Sequence, residues 1–404
     1  MPRAGWVKPV SPRRLSDLVS VGLLTRVFPP GVVDEVIAEC GRTEQRHRSL
    51  PARTMAYFAV GMALHSEGSY EDVMGLMTDG LAWSDPGVEP IRLPSKSAIF
   101  QARERLGSAP VRALFERVAR PLASHVSAES FLAGRRLVAI DGTMLDVADT
   151  VANDEFFGRP GTAKGERSAF PQVRLVALAE CGTHAIFEAE LGTHAESEMA
   201  LSKVLVERLE AGMVLLADRG YCSFDLWQQA SATGADLLWR AKNNTKPRRI
   251  ETLADGSWLA ELRRNNAKLD TEHVVVRVVD YDVDDGRNVE AGPFRLFTTL
   301  LDPTEVSATE LAAAYAQRWE IESAFDELKT HQRGARTVLR SKSPELVKQE
   351  IWGHLCCHYA IRTLMFAAAH EADVDPDRVS FVAALRISRR SLSPARDFSP
   401  SELS

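Results

Sequence analysis

The chain has 404 residues, 49 Lys and Arg against 55 Asp and Glu, and a formal net charge of −6. That length calls for two or three domains, and no apolar run is long enough to span a bilayer. The start, Met1-Pro2-Arg3-Ala4-Gly5-Trp6, lacks an apolar signal core, and the five scattered cysteines argue for reduced thiols in cytoplasm rather than a disulfide frame.

Residues 1 to about 130 read as helical. Asp17–Leu24 opens the first helix, Val32–Cys40 follows, and Arg53–Leu64 is strongly apolar. Tyr70–Met77 and Ser97–Leu106 are amphipathic, with Ser95 or Ser97 as N-cap, and Gly80–Pro94 is a connection punctuated by Gly and Pro. Paired as a helix-turn-helix variant with an overlong turn, the two helices would turn Lys96, Arg103 and Arg105 to DNA. Otherwise they belong to a bundle that only packs.

From about 131 to 242 the pattern changes to βββαβαβ. Strands are expected at Leu137–Ile140, Val173–Leu178, Ala185–Leu191, Val214–Ala217 and Leu237–Trp239, and helices at Glu196–Glu210 and Ser223–Thr233. Residues from about 243 to 305 form a β-rich insertion, with strands at His273–Val279 and Phe294–Leu300 around an acidic turn, Asp280–Gly286. Residues 346–404 read as a helical C-terminal region. There His354 and His358 lie at i,i+4 around Cys357, a spacing that suits zinc but suits a packed helix better. Trp352, Leu355, Tyr359, Leu364, Met365 and Phe366 would pack on the core or form part of a contact between copies.

Three segments carry chemistry. Leu137-Val-Ala-Ile-Asp141-Gly-Thr143 and Met213-Val-Leu-Leu-Ala-Asp218-Arg219-Gly220 each run an apolar strand into an acid and a glycine. Carboxylates then sit at strand ends, where side chains converge at an open sheet edge. The third segment, Tyr315 to Lys329, contains no helix breaker. Read as one helix, it places Tyr315, Arg318, Glu322 and Lys329 within an arc of about 60°, beside an apolar stripe of Ala314, Ile321, Phe325 and Leu328. A charged stripe alone is usually a solvated face. With two strand-end acids it becomes a site for a metal and a phosphate.

The pieces IDGT, LLADRGY and Y-x2-R-x3-E-x6-K resemble the DDE transposases of the IS4 type, the insertion-sequence group related to the Tn5 and Tn10 enzymes. The third piece matches that group's signature at all four positions and all three spacings. The resemblance extends over about residues 10 to 360, including Leu50–Met62 and Leu93–Leu106. An antiparallel meander followed by β-α units matches an RNase H-like α/β catalytic core, about 131–345, with the first strand central to the sheet.

On this reading Asp141, Asp218 and Glu322 are the catalytic, metal-holding acids. Three close carboxylates repel unless a cation compensates, and all-oxygen ligation selects Mg²⁺ or Mn²⁺. Two such ions about 4 Å apart clamp a phosphodiester. By resemblance Tyr315, Arg318 and Lys329 contact phosphates near the cut. Arg219, Thr143 and Lys242 are further candidate DNA contacts. Trp258 is placed either to stack on an extruded base or in the insertion's own core. Asp146 and Asp326 are rival acids that the family spacing does not select.

The basic groups cluster despite the net charge. They form Arg240 to Arg249, Lys329 to Lys342, and Arg386 to Arg396, and such patches hold a phosphate backbone even on an acidic chain. The resemblance implies a prokaryotic, nucleoid-associated cut-and-paste transposase. It would bind terminal inverted repeats and target DNA as a homodimer, with a hairpin on the element's end. The rival readings are a catalytically silent DNA-binding regulator and a nuclease that cuts without joining.

Overall fold

The structure, a computed structural model, describes residues 22–46, 49–82, 93–124, 128–161, 166–242, 245–264, 273–282, 294–334 and 338–391. It divides into two compact units. One comprises Arg120–Leu145 and Gln172–Phe325. The other comprises Met1–Ala119, Asp146–Pro171 and Asp326–Ser404.

The helical unit is built on two apolar helices. Ala52–Leu64 buries every residue except Arg53. It packs against the 29-residue helix Pro344–Ala372. A Cβ at Gly353 would lie 2.5 Å from the Ala59 carbonyl oxygen, so only glycine permits so close a crossing. Trp352, Leu355, Tyr359 and Met365 are buried in this core. His354 faces Gln332 (3.2 Å) and His358 faces Glu327 (3.0 Å), so neither i,i+4 histidine is directed to a shared metal.

Several cations expected at DNA serve this core instead. Arg103 is fully buried. Its Nε donates to Gln349 (2.8 Å), and its other nitrogens reach Tyr70, Ser341 (3.3 Å) and the Leu346 carbonyl (3.5 Å). Arg105 donates to the Leu50 carbonyl. The expectation that Arg103 faces DNA is therefore corrected: burying a guanidinium is tolerable only with its donors matched, as here. In the second basic block Arg333 is buried and Arg340 donates to the Gly68 carbonyl (2.6 Å). In the third, Arg389 donates to the Leu64 carbonyl (2.7 Å). Arg336, Arg396, the side chain of Arg390 and most of the acidic turn lie outside the described residues.

The other unit contains one ten-stranded sheet among the described residues. Its strands are β1 (Phe131–Leu132), β2 (Arg135–Asp146), β3 (Gln172–Glu180), β4 (Ile186–Thr193), β5 (Met213–Ala217), β6 (Asp236–Arg240), β7 (Arg248–Thr252), β8 (Trp258–Arg263), β9 (His273–Tyr281) and β10 (Phe294–Thr298). The order is β4-β3-β2-β5-β6-β10-β9-β8-β7, with β1 paired to β2. Strands β3 and β4 form the antiparallel hairpin, while β2, β5 and β6 run parallel. This is the RNase H-like order. The insertion continues the same sheet, because β10 pairs antiparallel with β6.

The apolar runs end where expected, within a few residues, except that β2 continues past Gly142 to Asp146. The stretch after Ser307 remains helical but not regular. An α-helix spans Ala308–Ala316, a 3₁₀ turn Gln317–Trp319, an α-helix Glu320–Asp326, and a π-helix Glu327–Gln332. The single ideal helix of the sequence reading is corrected accordingly.

Candidate active site

Strands β2 and β5 pair in parallel with Ala139 opposite Leu216. Two residues further along each strand, the same register brings Asp141 level with Asp218. The Gly142 amide donates to Asp141 Oδ1 (2.8 Å) and the Arg219 amide to Asp218 Oδ1 (2.6 Å), which fixes both carboxylates against their own backbone. Thr143 is two residues on from Asp141, on the same strand face.

The third acid comes from the helix Glu320–Asp326, whose start is docked on the hairpin turn. The Gly182 amide donates to the Glu320 carboxylate. The helix thereby brings Arg318 and Glu322 toward the strand ends. Arg318 is nearly buried. Its guanidinium lies 3.2 Å from Glu322 and 3.9 Å from Asp141, and it also feels the charge of Asp218. One cation is therefore the common partner of all three predicted acids. Burial pulls the Arg318 pKa down, but Tyr315, Glu322, Asp141 and Asp218 outweigh that and raise it. Its Nε is buried with no hydrogen-bond partner, a donor left over for an anion.

Asp141 is the electrostatically loaded member. Burial first, then Glu198 and Glu322, push its pKa up to about 6, against the Gly142 amide and Arg318. Tyr315 is buried, and its hydroxyl points to the Ala217 carbonyl (3.5 Å), beside Asp218. Arg219 and Lys242 are exposed. Lys329 belongs to the other compact unit. So does Asp326, whose carboxylate lies 3.4 Å from His331.

Trp258 is buried. Its indole donates to Asp280 (3.2 Å), and Arg249 and Arg295 cover the ring at 4.6 and 5.5 Å. Those contacts favour the second of its two sequence readings, a place in the insertion's own core. Trp319, the neighbour of Arg318, is 60% exposed, with the Arg318 guanidinium stacked on its ring at 4.6 Å.

Two further residues escaped the sequence reading. Glu198 opens the helix Glu198–Leu205 behind the N-cap Ser197, and in sequence it looks like any acid at a helix start. In space its carboxylate lies over Gly142. Tyr221, near the end of LLADRGY, is buried beside it. Nothing in the spacing of Glu198 marks it, and Tyr221 stands within the quoted motif without a role having been given to it.

The site's donors are all oxygen atoms, flanked by one guanidinium, which suits a hard divalent cation and a phosphate. The family described as "Insertion element 4 transposase N-terminal" matches residues 18–116, and "Transposase DDE domain" matches residues 132–360. The transposase InsG for insertion sequence element IS4 of Escherichia coli (strain K12) is 30% identical over 383 residues. That alignment covers 93% of this chain and 83% of InsG. Among solved structures, the piggyBac transposase synaptic complex with hairpin DNA aligns over 95% of this chain and 84% of that one, at 9% identity and a TM-score of 0.46. At that score the likeness adds nothing to the fold assignment. The two family matches and the InsG alignment establish that this chain belongs to the IS4-type DDE transposases.

Proposed function

We propose that the chain excises an insertion sequence and joins it to target DNA by metal-dependent phosphoryl transfer at Asp141, Asp218 and Glu322. The observation that carries this reading is the convergence of the three acids, from two strands and a helix, on the single guanidinium of Arg318. Mg²⁺, or Mn²⁺ in its place, would be held as two ions by these acids. When bound, it supplies Lewis-acid stabilisation of the charge on attacking and leaving oxygens.

The chain's own residues do the rest. Arg318 keeps the carboxylates in register and offers its unpaired Nε to a phosphate oxygen. Tyr315 braces the strand end that carries Asp218. Lys242 and Arg219 are exposed for the DNA backbone, and Thr143 and Lys329 complete the proposed contacts. Trp319 has a free aromatic surface for a base unstacked at the cut. The same reading gives a homodimer holding two terminal inverted repeats, a hairpin on the element's end, and residence with the bacterial nucleoid.

The test is Mg²⁺-dependent cleavage and strand transfer on DNA carrying the element's own ends. Wild type is expected to give joined products and Glu322→Gln neither cut nor joined DNA. Normal cutting by Glu322→Gln would remove the assigned site, and cutting without joining would make the protein a nuclease.

A further inference from the structure

We propose that Glu198 is a fourth carboxylate of the cation site, binding the same divalent ion as Asp141. This rests on reading Asp141, Asp218 and Glu322 as that site.

The first observation is steric. A Cβ built on Gly142 would meet Glu198 Cδ at 2.7 Å and Cγ at 3.0 Å, so the carboxyl group is seated on the backbone directly after Asp141. An acid serving only its own helix would turn back to the amides of the first turn, as Glu310 does in its capping box. Glu198 instead reaches across to β2. It sits close enough to Asp141 for the two charges to oppose each other. Among the described residues no Lys, Arg or His forms an ion pair with it.

The second observation is what lies buried beside the acids. Tyr221 is 3% exposed, and its oxygen, enclosed near Glu198 and Ser202, closes no hydrogen bond of ordinary geometry. The Arg318 side chain is 6% exposed, and its Nε has no hydrogen-bond partner although the guanidinium lies beside Asp141 and Glu322. A divalent cation would be held by Glu198 and Asp141 together and would offset the repulsion between their charges. Glu198 is thus a ligand, and Tyr221 a positioning residue behind it.

The experiment is Mn²⁺ titration of the full chain, with free Mn²⁺ read by electron paramagnetic resonance, alongside thermal melting in chelator. Glu198→Gln is expected to weaken Mn²⁺ binding about tenfold or more without lowering the melting temperature. Glu198→Asp keeps the charge but withdraws the oxygens, and is expected to weaken binding as well. Wild-type affinity in both variants, while Asp141→Asn loses binding, would overturn the role of Glu198 alone. Equal affinity in wild type, Asp141→Asn and Glu322→Gln would overturn the cation site itself.

Discussion

The carboxylate of Glu198 occupies the space that a Cβ on Gly142 would fill. The glycine after the first acid is therefore not a strand terminator, since β2 continues through it. It is the seat of a side chain from another element. Gly142→Ala is expected to fold, because the atoms in the way are the end of a flexible side chain, and alanine suits a strand better than glycine. Glu198 must move, so Mn²⁺ affinity is expected to fall to the level of Glu198→Gln. Titration and melting of the alanine variant check this. Wild-type affinity would make the contact incidental.

The raised pKa of Asp141 makes the site costly to fold without metal. In the unfolded chain an aspartate titrates near 4, and in the folded chain Asp141 titrates at about 6. Between those values the folded state binds more protons. The penalty from this one carboxyl is therefore absent below about pH 4, grows as pH rises towards 6, and is fully present above it. Asp141→Asn is expected to stabilise the metal-free protein by about 3 kcal/mol at pH 7.5 and by little near pH 4. Melting in chelator at both values reads this directly. Asparagine that destabilises at pH 7.5 would mean that the carboxylate is satisfied as it stands. Cation affinity is expected to fall as pH drops below about 6, as the proton competes for the carboxylate.

What was legible in the sequence follows from where the information lies. The buried strands β2, β5 and β6 carry continuous apolar runs, and motif and spacing point to Asp141, Asp218 and Glu322 as the acids of the proposed site. Strand β7 exposes all five residues, Arg248 to Thr252, so no pattern marks it. Strand β8 alternates buried and half-buried residues around Glu261 and Arg263, which reads as polar chain. The 3₁₀ and π turns around Arg318 and Lys329 depend on hydrogen-bond choices that leave no mark on composition. Glu198 was invisible because its meaning lies in a contact with Gly142, 56 residues earlier in the chain.

The two tryptophans separate packing from recognition. Trp258 is buried, donates to Asp280 and lies under two guanidinium groups. Trp258→Ala is expected to cost about 3–5 kcal/mol of stability. Trp319 is 60% exposed. Trp319→Ala is expected to change stability by no more than about 0.5 kcal/mol and to weaken binding of DNA with unpaired terminal bases by about 1–3 kcal/mol. Urea unfolding and fluorescence anisotropy distinguish the two. A Trp319 variant that binds such DNA normally would leave base stacking without an aromatic at this site.

Arg103 tests whether a cation in the N-terminal helices serves structure or DNA. Its side chain touches Gln349, Tyr70, Ser341 and the Leu346 carbonyl, linking helices more than 240 residues apart in sequence. Gln349 is committed in return, donating to the Arg103 and Gly107 carbonyls (3.0 and 2.6 Å). Removing the guanidinium leaves buried acceptors unmatched, so Arg103→Ala is expected to lose about 3–5 kcal/mol in urea unfolding. Arg103→Lys is expected to recover less than half of that, because one ammonium cannot span the four partners of a guanidinium. Weakened DNA binding in either variant should track the unfolded fraction and disappear when stability is restored by lower temperature. If Arg103→Ala instead unfolds like wild type and still loses DNA affinity, the helix Lys96–Leu106 presents this arginine to the duplex, and the helix-turn-helix reading of the N-terminal region stands.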